Sequence, residues 1–227
     1  MKNGSATSKL WLEANWNLAV NSYLVIMRNN FKRSLFLFFI FGLVQTVTFA
    51  QNWDIELLRK INIDRNKSLD PTFEIITNSV TPLLIAVPSG MFIYQLASKD
   101  STQKFKTMVV CGSVVIAGVL STSIKNVVQR DRPFVTYPEI ELETEAGSLS
   151  FPSGHTSLAF SLATSVSIAY PKWYVIAPSY AWAGAVGYSR MHLGAHYPTD
   201  VIAGAFIGAG SAWLSYKLNK WYAKPRK

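Results

Sequence analysis

Charge is what this chain has least of. Asp, Glu, Lys and Arg make up 15% of its 227 residues, against about a quarter in soluble proteins. The shortage is also local: no charged residue falls within 34–53, 75–98, 107–124, 156–171, 173–189 or 201–216. A hydrocarbon core about 30 Å thick is crossed by about 20 apolar residues, and runs like these meet that need or are completed by their flanks. A water-soluble globule is thereby set aside. Cysteine is nearly missing as well. The lone Cys111 lies inside the third run, excludes an intrachain disulfide and reads as a small core residue of a membrane helix. Internal repeats and low-complexity tracts are absent too.

What is present is 49% apolar residues and a formal net charge of +9. The expected fold is all-α, a polytopic membrane bundle of five or six transmembrane helices with a short amphipathic helix at the outer surface, over 51–70. If the runs cross alternately from a cytoplasmic N-terminus, the inner segments hold 14 basic residues and two acids. The outer segments hold 8 basic residues and 11 acids. That is the positive-inside asymmetry, so the basic excess reports topology and no nucleic-acid partner is expected.

The first run has a basic flank (RNNFKR), an apolar stretch (SLFLFFIFGLV) and a small-residue end at Ala50, the pattern of a signal peptide. Residues 1–50 are read as an N-terminal extension, carrying either a cleaved signal or a retained first span. Residues 51–227 are read as the functional domain. Asp70 and Pro71 open the next span as cap and first helical residue.

With this topology three polar clusters fall on one side. They are KNVVQRDRP (Lys125–Pro133), PSGH (Pro152–His155) and SRMHLGAHYPTD (Ser189–Asp200). Titratable groups beside hydrocarbon are expensive, and their convergence points to a site. Lys125, Arg132 and Arg190 are cationic donors suited to phosphate oxygens. Ser153 and Gly154 stand at a helix start, where free amides and the helix dipole favour an anion. Asp200 follows His196 by four residues. A carboxylate on one imidazole nitrogen fixes the tautomer and leaves the other free to attack. His155 is then available to protonate the leaving oxygen and later to activate water. None of the clusters has the ligand set of a metal site, so neither metal nor cofactor is expected.

Lys125-x6-Arg132-Pro133, Pro152-Ser153-Gly154-His155 and Ser189-Arg190-x5-His196-x3-Asp200 resemble the three signature motifs of the type 2 phosphatidic acid phosphatase superfamily, with no departure at a motif position. The resemblance covers about residues 70–217. It implies a helix bundle, a phosphohistidine intermediate on His196, acid–base work by His155 and no metal. The signal-like segment and polytopic hydropathy favour a phosphorylated membrane lipid over a soluble substrate, dephosphorylated at the outer face of a bacterial-type inner membrane, and the resemblance supplies the candidates. Undecaprenyl pyrophosphate or phosphatidylglycerophosphate lead, followed by phosphatidic acid and lipid A 1-phosphate. Two rivals remain at this level, a vanadate-dependent haloperoxidase and a non-catalytic phospholipid-binding or transport protein. The six uncharged runs oppose the first, and an intact nucleophile, orienter and acid oppose the second.

The remaining polar residues are assigned blander roles. His192 reads as a helix-end residue, Arg130 and Asp131 as local loop charges, Ser189 as a cap or an orienter of Arg190. PEIELETEAG (138–147), with Glu139, Glu141, Glu143 and Glu145 at alternate positions, reads as a solvated loop, with a lid beside the site as the functional alternative. GAFIGAG (204–210) reads as a helix-packing face.

Overall fold

A computed structural model describes residues 52–223, apart from Lys99 and Ser148. The signal-like run, and what was expected of residues 1–50, lie outside the described residues. Helix α1 (52–62) is followed by a 3-10 turn (Lys67–Leu69), α2 (Asp70–Asn78), α3 (Val80–Ser98) and α4 (Ser101–Val128). Then come the short α5 (Pro133–Thr136), α6 (Gly154–Ala169), α7 (Trp173–His192) and α8 (Pro198–Tyr222). No strand occurs among the described residues, and α3, α4, α6, α7 and α8 form a bundle. Three stretches, 67–98, 101–136 and 198–222, are helical, long and apolar enough to cross a membrane. The chain is an all-helical membrane protein.

Helix α6 sits in the middle, against α4, α7 and α8. Its buried residues are mostly small or hydroxylated: Thr156, Ser157, Ala159, Ser161, Ala163, Ser165, Ser167 and Ala169. Sixteen residues reach only about 24 Å at 1.5 Å per residue. Its hydroxyls largely bond to their own helix, with Ser157 Oγ donating to the Ser153 carbonyl (2.9 Å) and Ser167 Oγ to that of Ala163 (2.7 Å). The GAFIGAG stretch is indeed a packing face. A Cβ on Gly208 would strike the Ser157 carbonyl oxygen, and one on Gly204 would lie 2.8 Å from that of Ser153. Close backbone approach between small residues is the usual basis of helix association in lipid. Further along the same face α8 meets α4, where Ser215 Oγ donates to the Val109 carbonyl at 2.8 Å.

The ends of the bundle differ. At one end the Tyr170 hydroxyl donates to Gln103 (2.9 Å), Lys106 lies over the Tyr170 ring (4.4 Å) and Phe105 meets Tyr216 edge-on. At the other gather the C-termini of α4 and α7 and the N-termini of α6 and α8, joined by a bond from the Ser153 amide to the Asp200 carbonyl (3.0 Å). All three polar clusters are at this second end.

Helix α1 covers that end more firmly than an amphipathic surface helix would. Ile55 and Leu58 are buried with Ile140 and Tyr197, but the same face also buries Asp54 and Asn62. Asn62 accepts from the Glu141 amide (2.9 Å) and donates to the carbonyls of Glu141 (3.0 Å) and His192 (2.9 Å). Asp70 proves to be the first helical residue of α2 rather than its cap, which is Leu69. Its carboxylate accepts from Arg65 Nε (3.0 Å) and pairs with His192 Nε2 (2.8 Å). His192 also stacks on Phe73, 4.2 Å between centroids. This histidine is structural.

Candidate active site

The C-terminal end of α7 turns back through Leu193–Tyr197 before α8 begins. Gly194 makes the turn at φ +71°, where an L side chain is strained, and an added Cβ would also strike the Glu141 carbonyl. The amides of Ala195 and His196 close on the Arg190 carbonyl (2.9 and 3.2 Å). The result is a histidine held outside the helices but almost wholly buried, at 1% exposure.

His196 Nδ1 faces Asp200 Oδ2 at 3.4 Å, and Nε2 faces Arg132 Nη1 at 3.3 Å. A guanidinium can only donate, so Nε2 carries the lone pair and Nδ1 the proton. Asp200 Oδ2 also accepts from Ser150 Oγ and from the Tyr197 amide (3.0 Å). This is the orientation that nucleophilic attack through Nε2 requires.

Burial pushes the His196 imidazole down to about 3, against the upward pull of the Asp200 carboxylate and with help from the Arg132 and Arg190 charges. A lowered value keeps the ring neutral, with its lone pair available, well into acid. Nitrogen-15 histidine spectra in micelles, assigned with His196→Gln, should show a neutral ring at about pH 5. A midpoint near the free value of about 6.5 would contradict this.

Three cations gather at this end, with Arg132 against Nε2 and Arg190 within electrostatic reach of the ring. Arg132, 5% exposed, donates from Nη1 to the Ala195 carbonyl (2.8 Å), and its Nε is buried without an acceptor. Arg190, 1% exposed, donates from Nη1 to Thr77 Oγ1 (2.9 Å) and from Nη2 to the Glu145 carbonyl (3.2 Å). Its Nε likewise has no acceptor. Lys125 Nζ is turned onto the carbonyls of Leu149 (2.9 Å) and Ser150 (3.3 Å). His155, in the first turn of α6, is partly exposed and within electrostatic reach of Lys125, Arg132 and Arg190. Ser153 Oγ caps α6 by accepting from Thr156 Oγ1 (2.9 Å) and, weakly, from the Thr156 amide (3.5 Å). The next amides, of Gly154 and His155, are ones the helix itself cannot satisfy. A Cβ on Gly154 would meet nothing nearer than Ser121 Oγ at 3.9 Å, so packing does not demand glycine there. All eight expected site residues thus belong to one end of the bundle. Among the described residues no group of three His, Cys, Asp or Glu side chains is placed to hold a metal ion.

Three residues at the site escaped sequence reasoning. Arg130 is no loop charge: it bridges Asp200 Oδ1 and Asp54 Oδ2, each at 2.7 Å. Asp54 and Ser150 complete that network. The readable signal was Arg130's place two residues before Arg132 in a cluster already singled out. The acidic loop keeps its four glutamates exposed, as expected of a solvated loop, yet it is tied down. Glu139 pairs with Arg59 (2.7 Å) and Glu141 with Lys67 (2.7 Å) and Arg65 (2.9 Å), while the backbone at Glu145 covers Arg190.

Comparison with known proteins agrees with this geometry. Residues 106–224 match the family model described as the PAP2 superfamily. An undecaprenyl-diphosphatase of Sulfolobus acidocaldarius is 30% identical over 189 residues, spanning 81% of this chain and 88% of that protein. The crystal structure of Aquifex aeolicus LpxE is 30% identical, with a TM-score of 0.65 over 73% of this chain and 95% of that one. The PAP2-type phosphatidylglycerolphosphate phosphatase of Bacillus subtilis, at 24% identity and a TM-score of 0.63 over 83% of this chain and 96% of that one, shares the fold. Family match, related phosphatases and the assembled clusters together make this chain a member of the PAP2 superfamily and a membrane lipid phosphatase.

Proposed function

We propose that the chain removes a terminal phosphoryl group from a membrane lipid pyrophosphate or phosphate monoester, through a phosphohistidine on His196 and without a metal. One observation carries the reading: Arg132 at His196 Nε2, and Arg190 within electrostatic reach of that ring, each hold a buried Nε with no acceptor. A buried charged donor left unpaired costs more than about 1–3 kcal/mol, and a phosphoryl group between these forks supplies the missing oxygens.

In the first step Nε2 forms a bond to phosphorus as the bond to the leaving oxygen breaks, and that oxygen takes a proton from His155. The imidazole proton on Nδ1 stays against Asp200. In the second step water gives a proton to His155 and attacks the same phosphorus, the N–P bond breaks and inorganic phosphate leaves. Lys125, Arg132, Arg190 and the first-turn amides of α6 stabilise the charge on the transferring oxygens. Undecaprenyl pyrophosphate is the leading substrate, supported by the relative of that activity that spans most of this chain. Phosphatidylglycerophosphate follows, then phosphatidic acid and lipid A 1-phosphate. The site is assigned to the outer face of a bacterial-type inner membrane, in line with the inner excess of basic residues.

Phosphate release from these four lipids in detergent micelles tests the reading. Release should be fastest from undecaprenyl pyrophosphate, blocked by vanadate and unchanged by EDTA. Loss of turnover on chelation, restored by a divalent ion, would overturn the metal-free scheme. Faster release from another lipid would replace the substrate.

A further inference from the structure

The two oxygens of the Asp200 carboxylate serve different partners. Oδ2 faces His196 Nδ1, whereas Oδ1 accepts from Arg130 Nη1 at 2.7 Å. The far side of that guanidinium is anchored as well. Its Nη2 donates to Asp54 Oδ2 at 2.7 Å, and Nη1 also reaches Thr199 Oγ1 at 2.8 Å. The group lies 3.7 Å from the centroid of the Tyr197 ring. Asp54, on α1 and 1% exposed, accepts from the Thr199 amide at 2.8 Å and from the Thr199 hydroxyl. A carboxylate this buried is retained only when paired, and all its partners flank Asp200 or hold it.

We infer that Arg130, braced by Asp54 of α1, is the residue that positions the Asp200 carboxylate behind His196, governing the rate of attack without touching substrate. The inference rests on His196 being the nucleophile. Only a planar fork fits the place: it must reach carboxylates on two sides and lie on the Tyr197 ring, which a lysine ammonium does not do. With Arg130 gone, Asp200 keeps Ser150 and the Tyr197 amide on Oδ2, but nothing restrains rotation of the carboxylate about that edge. The chain segment holding Arg130 is in turn fixed by the bond from the Ser150 amide to the Arg130 carbonyl (2.8 Å), so the brace and the second partner of Asp200 move together.

Steady-state phosphate release from undecaprenyl pyrophosphate in micelles, with melting curves of each variant, tests it. Arg130→Met should lower kcat about 10²-fold while KM stays within about threefold, because a misplacement of about 1 Å at a reacting group has that cost. Arg130→Lys, which restores charge without the fork, should recover about tenfold of the loss. Asp54→Asn should lose about tenfold in kcat, and combining it with Arg130→Met should cost no more than Arg130→Met alone, since both act through one carboxylate. A kcat within about threefold of wild type for Arg130→Met, or a loss confined to KM, overturns the inference. If Arg130→Met does not fold, Arg130→Lys and Asp54→Asn decide: both must lose kcat at constant KM, and failure of either overturns it. An inactive wild type, or a His196→Gln variant as active as wild type, takes the functional reading down and this inference with it. An active wild type, a dead His196→Gln and an unaffected Arg130→Met remove this inference alone.

Discussion

Replacing His196 with glutamine should abolish phosphate release, lowering kcat by at least about 10⁴-fold, the scale on which loss of a covalent nucleophile is felt. Glutamine keeps an acceptor and a donor near Arg132 and Asp200, so the fold has little reason to change. It has no lone pair that forms a displaceable N–P bond. The variant should therefore melt near the wild-type temperature and still bind substrate. Brief exposure of wild-type protein to lipid carrying a radiolabelled terminal phosphate should leave an acid-labile, base-stable label on the chain. His196→Gln should carry none. Retained turnover in the folded variant would remove the covalent scheme at its root.

The second large effect is expected at Arg190. Arg190→Gln should lower kcat/KM by at least about 10³-fold, about 4 kcal/mol of transition-state stabilisation, in the range seen when an arginine is taken from a transferring phosphoryl group. The loss should fall on kcat as well as KM, because charge on the equatorial oxygens rises toward the transition state. Inhibition by vanadate should weaken in parallel, since the pentavalent oxyanion engages the same donors. Glutamine still has an amide to offer Thr77 and the Glu145 carbonyl, the nearer of the groups that hold Arg190 now. Kinetics and vanadate titration on one preparation check both parts. A change in KM alone would make Arg190 an anchor for the ground state only.

The eight site residues were legible because the chemistry of an anion site fixes their types and the helix ends fix their spacing. Lys125, Arg132, His155, Arg190, His196 and Asp200 could be placed on one face once the uncharged runs were counted. What escaped was long-range and ordinary in type. Asp54 meets Thr199 across 145 positions, and an aspartate on an amphipathic helix gives no local sign of such a partner. Asn62 likewise looks like a polar residue on a surface helix, yet it ties α1 to the loop and to α7. Ser150 lies just before the PSGH motif and hydroxyl residues are common in loops. The helices were legible as runs without charge, but α6 and α7 are not among the stretches long and apolar enough to span by themselves. Small hydroxylated residues in α6, and Pro178 with tyrosines and glycines in α7, depress their apolar character because their neighbours are protein. Periodicity could not show that, since burial there comes from partners.

The acidic rim has an electrostatic consequence. Residues 53–70 and 138–147 together hold eight acids and four basic residues, and side chains such as Glu141 and Glu143 remain 44% and 49% exposed. Beneath them Arg190 and Arg132 are almost sealed from water. At physiological salt a charge is felt over only about 8 Å, so an anion approaching through the aqueous phase meets repulsion before attraction. Free phosphoesters arriving through water should therefore turn over more slowly than lipids with the same headgroup, a gap that raised salt should narrow.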